Sequence, residues 1–482
     1  MLEQYLPIPT PYDPAEDPPG SIDPMGTVAT AEQMAEVLLP GLTARMWRAR
    51  HLTFAALGAL IGQRAAAMNG GSEEMRLEAR LGLERLFVSA VAWKDSKEED
   101  WHRASRRLPG ITLARRAIHA GHQPLGKQNF LKGQAINGPF GVVQRLARNL
   151  DIIDDDNLLS CNGEELLLAW SAQHGLSGIL DETNSGSNGS GWLQRLLRHV
   201  VNHIKEGIWP NNSWWGWVDL ANALRPDQPT PRETKILFQL LTSESNVTRK
   251  RFIELLLSPS VLQRYKAVIT DGSRGDLDRV ILAQQIEPLV QTGKDETDRL
   301  IRYAITLVEA HEQVSGCLEA AFRSLMWALT RRGGRSTTVD LLGDSAFVSS
   351  LASTRRKLTR AAKRFQMVMS ELKDHPQVLD AVNVERLDQL MQDGLEGLTG
   401  ERDLADVVMQ RHRHVQQQKR KGVWIEADNP YLTLMPGFGD AKDTPPSYEG
   451  VYLHQFRVSN AYSFLNDLGK VPGVEVTDGE EE

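Results

Sequence analysis

The sequence lacks the features that mark several well-defined classes of protein. Only two cysteines occur in 482 residues, Cys161 and Cys317, and neither belongs to a CxxC pair. This excludes a disulfide framework and a cysteine-based zinc site, and we expect a reducing, cytoplasmic environment. The N-terminal stretch MLEQYLPIPTPYDP also lacks the basic and apolar regions of a secretory signal peptide.

Long hydrophobic runs are missing as well. The longest apolar stretch, residues 52–62, is about half the length that a membrane-spanning helix needs. We therefore expect a core helix there and no membrane partner. The net charge of -7 gives the whole molecule no attraction to nucleic acid or to an anionic membrane, so any such attraction must be local.

Recognisable catalytic motifs are absent. There is no GxxxxGK[ST] phosphate-binding loop, no GxGxxG after a strand and no GxSxG nucleophile elbow. We predict no catalytic residue, no metal ligand and no cofactor. This favours a protein that is not an enzyme, and an enzyme with an unrecognised active site is kept as an alternative.

Two histidine pairs are candidates for metal binding. A helix would place His199, His203 and Glu206 on one face, but Val200 stands where zincins have their general-base glutamate. Ordinary histidines are the favoured interpretation. The second pair, His412 and His414, lies among cations that would repel a metal ion, so this stretch indicates an anion-facing segment.

Residues 138–182 show an ordered alternation of helix and turn. Gly138-Pro139 opens a helix through Leu150, an acidic run at 154–157 suits a tight turn, and residues 158–159 form a short β-like step before a second, capped helix. This layout resembles the winged-helix family, whose modules occur in bacterial restriction and phage-defence proteins. The acidic turn would repel phosphate, so the resemblance implies a module used for protein packing more than for base readout.

Hydrophobic periodicity elsewhere predicts a mainly α, multi-helical protein with this winged-helix-like module and a small β-containing C-terminal region. A long helical pair is expected at 295–332 and 345–373, and β-like runs at 422–440 and 448–458. The predicted organisation is a proline-rich extended arm at 1–28, a helical domain at 29–182, a Gly/Ser linker at 183–191, a helical domain at 192–400, a helix with short β-like runs at 401–473 and an acidic tail at 474–482.

Positive charge is concentrated in one part of the chain. Residues 355–364 carry six cations and no acid, and three arginines flank Gly333-Gly334 just upstream. Such a patch would neutralise phosphates and bind nucleic acid largely without sequence preference. A solvated helix face and a surface for an acidic protein are the alternatives. The predicted nucleic-acid-binding residues are Arg331, Arg332, Arg335, Arg355, Arg356, Lys357, Arg360, Lys363 and Arg364.

Tryptophans cluster in IWPNNSWWGW, and residues 209–217 contain four of them. Tryptophan is enriched at interface hot spots and also stacks on bases. Packing between neighbouring helices is the favoured interpretation, and contact with a partner is the functional one. The predicted partner-binding residues are Trp209, Trp214, Trp215 and Trp217.

Together these features predict a non-enzymatic subunit of a bacterial nucleic-acid-handling complex that docks on the phosphate backbone through a basic helix. The missing chemistry would come from a partner subunit such as an ATPase, helicase or nuclease. The role in phage defence is implied by the resemblance alone. A protein–protein scaffold that binds an acidic partner without nucleic acid is the main alternative.

Overall fold

A computed structural model of the chain describes residues 23–181, 186–272, 274–291, 293, 295–396, 401–440 and 442–471. The predicted mainly α fold is confirmed, with one small three-stranded sheet in the described part. The whole predicted acidic tail, residues 474–482, and residues 1–22 of the predicted arm lie outside the described residues.

The helices follow one another closely along the chain. Up to residue 281 they are α1 (Val28–Leu38), α2 (His51–Ala67), α3 (Glu73–Asp95), α4 (Trp101–Ser105), α5 (Ile111–His119), α6 (Gln134–Asn137), α7 (Pro139–Asn149), α8 (Cys161–Gln173), α9 (Asn188–Glu206), α10 (Gly216–Ala223), α11 (Pro231–Leu241), α12 (Val247–Leu256), α13 (Pro259–Thr270) and α14 (Leu277–Ile281). The remainder are α15 (Glu287–Gln291), α16 (Glu296–Arg331), α17 (Thr338–Leu342), α18 (Ser345–Leu372), α19 (Pro376–Leu379), α20 (Val384–Glu396), α21 (Glu401–Lys419) and α22 (Val458–Asp467). The strands are β1 (Arg335–Thr337), β2 (Ile425–Asp428) and β3 (Tyr431–Leu434).

The chain forms two compact units that are interleaved along the sequence. Among the described residues, the N-terminal unit contains those within 38–281, 295–298 and 457–471, and the C-terminal unit contains those within 23–37, 282–293 and 299–456. The predicted domains, in contrast, are contiguous. The predicted linker at 183–191 does not separate two compact units.

Part of this predicted linker is helical. Residues 188–191 form the first turn of α9, and the Ser187 side chain caps it by accepting from Ser190 N at 3.2 Å. Gly189 lies so close to the Leu176 carbonyl that a Cβ there would collide with it. The small residues therefore permit close packing at this end of α9, where the composition suggested a flexible tether. Residues 183–185 lie outside the described part of the chain.

Helices α2 and α3 form the centre of the N-terminal unit. The apolar run at 52–62 lies in α2 and is buried, as predicted, and Phe54 stacks on Phe87 of α3 with ring centroids 4.5 Å apart.

A buried ion pair fixes α11 against α2 and α3. Arg50, 2% exposed, donates from Nη2 to Glu233 Oε2 at 2.9 Å, and Glu233 is fully buried. Thr53 Oγ1 and the backbone N–H of Thr230 also donate to the Glu233 carboxylate, at 2.8 and 2.7 Å.

We expect Glu233→Ala to lower the free energy of unfolding by about 3–5 kcal/mol, because it leaves the buried Arg50 charge without its ion-pair partner. Urea denaturation measures this loss. Thr230→Ala is the matched control, since it removes the helix cap but keeps the ion pair and should cost about 1 kcal/mol. Equal losses in the two variants would show that the ion pair adds nothing beyond the cap.

The stretch at 138–173 has the predicted order of elements. Helix α7 is followed by a turn in which Asn157 N donates to the Asp154 carbonyl, then by a single antiparallel bridge between Ile153 and Leu159, then by α8. Arg148 of α7 donates to the Asp155 carbonyl and to Asn157 Oδ1, so its side chain is bound to the adjacent turn. The likeness to a winged helix stays a prediction.

A buried glutamate holds the start of α7. Glu84 of α3 accepts from the backbone N–H of Phe140 at 2.6 Å and from Gln134 Nε2 at 2.7 Å. Gly138 is required beside it, because a Cβ there would collide with the Glu84 carboxylate. Burial raises the pKa of Glu84 to about 7 against the lowering effect of these two hydrogen bonds.

This raised pKa predicts a pH-dependent loss of stability. In the folded state Glu84 keeps its proton up to about pH 7, whereas a glutamate in the unfolded chain releases its proton near pH 4.3. The stabilisation by Glu84 is therefore fully present below about pH 4 and is lost as the pH rises through 7. In urea denaturation from pH 4.5 to 8, wild type should lose stability relative to Glu84→Gln by about 2–4 kcal/mol. Parallel curves for the two proteins would contradict this.

The sheet of the C-terminal unit is antiparallel with strand order β1-β3-β2. Leu432 at its centre pairs with Ser336 on one side and with Ala427 on the other. The predicted β-like run at 422–440 thus supplies β2 and β3. The third strand, β1, follows the Gly333-Gly334 turn.

The second predicted β-like run, at 448–458, is wrong: no strand forms there, and Val458 begins α22. Residues 442–456, here called the strap, instead follow α16 and bond to its side chains. Trp327 Nε1 donates to the Lys442 carbonyl at 2.8 Å and Ser324 Oγ to the Pro446 carbonyl at 2.8 Å. The alternation of apolar residues looks strand-like, but the backbone groups are satisfied by a helix instead of by another strand.

The last residues of the predicted arm pack within the C-terminal unit. Arg411 of α21 donates to the Met25 carbonyl at 2.7 Å, and His412 Nδ1 lies 3.1 Å from the Pro24 carbonyl. His412 Nε2 accepts from Trp424 N at 2.9 Å, so its Nδ1 carries the proton and donates to Pro24. Burial lowers the pKa of His412 to about 4. This histidine is a structural residue, whereas His414 is exposed.

Candidate functional site

The basic helix predicted from sequence is α18. Asp344 caps it by accepting from the backbone N–H groups of Ala346 and Phe347 at 2.9 and 3.1 Å. One face is buried along its length and is formed by Phe347, Leu351, Leu358, Phe365 and Leu372, among others. This stripe decides which cations reach solvent.

Helix α18 pairs with α16 in antiparallel orientation. Ser350 Oγ lies 3.0 Å from Ser324 Oγ near one end, and Arg364 forms an ion pair with Glu309 towards the other. These contacts bring the C-terminal end of α16 level with the start of α18. They also show that Arg364 already has a carboxylate partner within the chain.

A second predicted cation is also engaged. Lys357 donates to the Tyr448 carbonyl of the strap, and Tyr448 itself lies over Gly316 of α16, where any Cβ would strike its ring. Lys357 therefore connects α18 with the strap. Arg355 is half-buried.

Four of the predicted cations of α18 are exposed, and three of them, unlike Lys357, have no bonded partner among the described residues. Arg356, Arg360 and Lys363 stand at i, i+4 and i+7 of α18, which places them on one helix face. No ion pair or hydrogen bond joins these side chains to any residue that the structure describes. We call them the basic face. The acidic stretch at 374–406 does not neutralise it within the described residues.

The arginines beside Gly333-Gly334 form a separate group. Arg331 lies over the Trp327 ring and Arg335 over the Tyr431 ring, with 5.2 and 4.3 Å to the ring centroids. Both glycines have positive φ, 73° and 85°, and the Gly334 carbonyl accepts from Leu434 N at 2.7 Å. The turn is part of the sheet, and Arg332 is exposed beside it.

The two basic groups are distinct in space. The contacts Ser324–Ser350 and Glu309–Arg364 set the antiparallel register of α16 and α18. Continued to the end of α16, this register places Arg331 level with residues near 343, about 13 positions before Arg356. At about 1.5 Å per residue, roughly 20 Å separates the groups along the helix axis. The single patch expected from sequence is thus two groups that only an extended anion could contact together.

The tryptophan cluster is mainly an intramolecular core in the N-terminal unit. Trp214 and Trp217 are 6% and 1% exposed, and their rings meet edge to face at 4.8 Å. Trp209 packs on His203 at 4.9 Å and Trp215 on Trp192 at 6.0 Å. Trp209 and Trp215 are half-buried, and their binding to a partner stays a prediction.

We expect Trp217→Phe to lower the free energy of unfolding by about 1–3 kcal/mol. The variant keeps most of the ring packing but loses the hydrogen bond from Nε1 to the Asn211 carbonyl, which is 2.7 Å long. Chemical denaturation followed by circular dichroism checks this. Trp215→Phe, at a half-buried position, should cost less; an unchanged Trp217→Phe protein would show that the cluster does not stabilise the unit.

The histidine pair beside this cluster lies in surroundings that disfavour a metal ion. His203 is buried, with Nε2 3.3 Å from Arg85 Nη1, while Glu206 is exposed. Burial and the nearby Arg85 lower the pKa of His203 to about 4. A guanidinium in that position opposes a bound cation.

A cavity of about 930 Å³ opens beside α3 and α9 in the same unit. Its lining includes Arg85, Lys127 and Lys205, but Glu78 offsets two of these charges. The Glu78 carboxylate lies 2.9 Å from Lys127 Nζ and 3.8 Å from Arg85 Nη2. The cavity is therefore a weaker anion site than the basic face.

One constellation was not predicted. His311 and Glu312 on α16 meet His454 of the strap in the interior of the C-terminal unit. Burial acts to raise the pKa of Glu312, but hydrogen bonds from the two histidines outweigh it and lower the pKa to about 2. A His-Glu dipeptide and one histidine 142 residues away form no recognisable spacing, so only the tertiary structure could reveal them.

Comparison with protein-family models, with curated proteins and with solved structures finds no match to this chain. Across the described helices, none combines the length and the apolar character needed to cross a bilayer. The function must therefore be inferred from the chemistry of the chain's own residues.

Proposed function

We propose that this chain binds the phosphate backbone of nucleic acid through the basic face of α18, Arg356, Arg360 and Lys363. The observation that carries the proposal is that these three exposed cations share one helix face and have no partner among the described residues. In such a position each side chain can neutralise a phosphate and so release the small cation that was condensed on the nucleic acid.

The shape of this surface favours an extended polyanion over a small anion. The cations project from a convex helix, and roughly 20 Å along the axis separates them from the arginines around Gly333-Gly334. A nucleic-acid strand carries a phosphate at intervals of a few ångströms and reaches both groups, which one small anion does not. Backbone contacts of this kind position a protein on nucleic acid without reading sequence.

A subunit with this property would dock a complex on nucleic acid while another subunit supplies the chemistry. The ATPase, helicase or nuclease partner and the role in phage defence stay predictions. The alternative of an acidic protein partner uses the same basic face, because clustered carboxylates also satisfy unpaired guanidinium groups. The two proposals differ in the ligand, nucleic acid or an acidic protein, and a binding experiment distinguishes them.

The first test is fluorescence anisotropy with labelled single- and double-stranded DNA and RNA over a salt series. Arg356→Ala/Arg360→Ala/Lys363→Ala should weaken binding, and the slope of log Kd against log salt should fall by about 2–3, since each lost phosphate contact contributes about 0.7–0.9. Arg232→Ala/Lys235→Ala/Arg264→Ala removes the same charge from exposed positions of the N-terminal unit and should leave the slope unchanged.

Two results would contradict the proposal. If folded wild-type protein binds none of the four nucleic acids at low salt but binds poly-glutamate, the basic face serves an acidic protein. If both triple variants weaken nucleic-acid binding equally, net charge governs binding and α18 is not the site.

A further inference from the structure

We propose that His311, Glu312 and His454 form a binding site for a divalent first-row transition metal ion. Each residue offers one ligand atom, and these atoms lie within 4.8 Å of one another in the interior of the C-terminal unit. His311 and Glu312 are fully buried and His454 nearly so. The site is independent of the proposed nucleic-acid surface.

The three groups converge on one carboxylate oxygen. Glu312 Oε1 lies 3.3 Å from His311 Nδ1 and 2.5 Å from His454 Nδ1. In a tetrahedral site with bonds of about 2.0–2.2 Å, ligand atoms stand about 3.3–3.6 Å apart. The ligand atoms of His311 and Glu312 already meet this spacing, and those of His454 and Glu312 have to move apart by about 1 Å.

The surrounding contacts orient these ligand atoms towards one another. Glu312 Oε2 accepts from the backbone N–H groups of Leu453 and His454 at 2.5 and 3.1 Å, which leaves Oε1 for the centre. His454 Nε2 lies 3.0 Å from Thr27 Oγ1, and His311 Nε2 lies 3.4 Å from Ser315 Oγ. Metal-binding histidines and carboxylates are held in this way by an outer shell of hydrogen bonds.

The donor set defines the class of ion. Two imidazole nitrogens and one carboxylate oxygen suit Zn²⁺ or Fe²⁺, whereas Ca²⁺ and Mg²⁺ prefer oxygen ligands throughout. Three protein ligands leave a coordination position for water. A bound ion would join α16 to the strap, two segments that are far apart in sequence.

The competing explanation is a metal-free network in which both imidazoles donate to Glu312. Metal analysis of the full chain separates the two. After removal of metal with a chelator, the protein is titrated anaerobically with Zn²⁺, Fe²⁺ or Co²⁺, and bound metal is counted by mass spectrometry. We expect one ion per chain, an increase in melting temperature, and visible absorption from the Co²⁺ form typical of a low-coordinate N/O site.

His454→Ala and Glu312→Gln should each lower the affinity at least tenfold, while His414→Ala, which removes an exposed histidine of α21, should not change it. Absence of stoichiometric binding by folded wild-type protein would overturn the proposal, even if the variants fail to fold. Binding that survives in folded His454→Ala and Glu312→Gln would also overturn it, because the ion would then lie elsewhere.

Discussion

The pairing of α16 with α18 is the contact on which the C-terminal unit depends. Together with packing against α20 and α21, it buries one stripe of α18, and this burial decides which side chains on that helix reach solvent. The contacts at Ser324–Ser350 and Arg364–Glu309 set its direction. The basic face, the separation of the two arginine groups and the course of the strap along α16 all follow from this one arrangement.

Much of the fold was predictable because helical periodicity is a local property. The pair at 295–332 and 345–373 appears as α16 and α18 within one residue at each end, and the apolar run at 52–62 lies in the core helix α2. The strap was not predictable. Its alternating apolar residues resemble a strand, yet the side chains that bond to its backbone lie on α16 and α18, 91 residues away or more in the chain.

The candidate site was predictable in composition but not in detail. Sequence identifies the cluster of cations at 355–364, but not that Arg364 and Lys357 are bound to Glu309 and Tyr448. These partners are 55 and 91 residues away. The same limit hid the cluster around Glu312, whose members come from different segments.

Buried glutamates join distant segments in both units. Glu84 and Glu233 of the N-terminal unit and Glu312 of the C-terminal unit each accept at least one backbone N–H from a loop or helix start. Glu312 is ionised because its pKa is lowered, and a hydrogen bond to an ionised acceptor contributes more than one between neutral groups, about 1.5–3 kcal/mol. Such bonds hold connecting segments in place where the described part of the chain has little β-sheet to order them.

The way the strap is held sets how it responds to thermal fluctuation. In a sheet, neighbouring ladder bonds break together, whereas here individual side chains of α16 hold separate points of an irregular segment. Its amides should therefore exchange with solvent deuterium largely one by one, and those of Leu453 and His454, bound to Glu312, should exchange last. Amides of the buried α16 should exchange only with the opening of the whole unit.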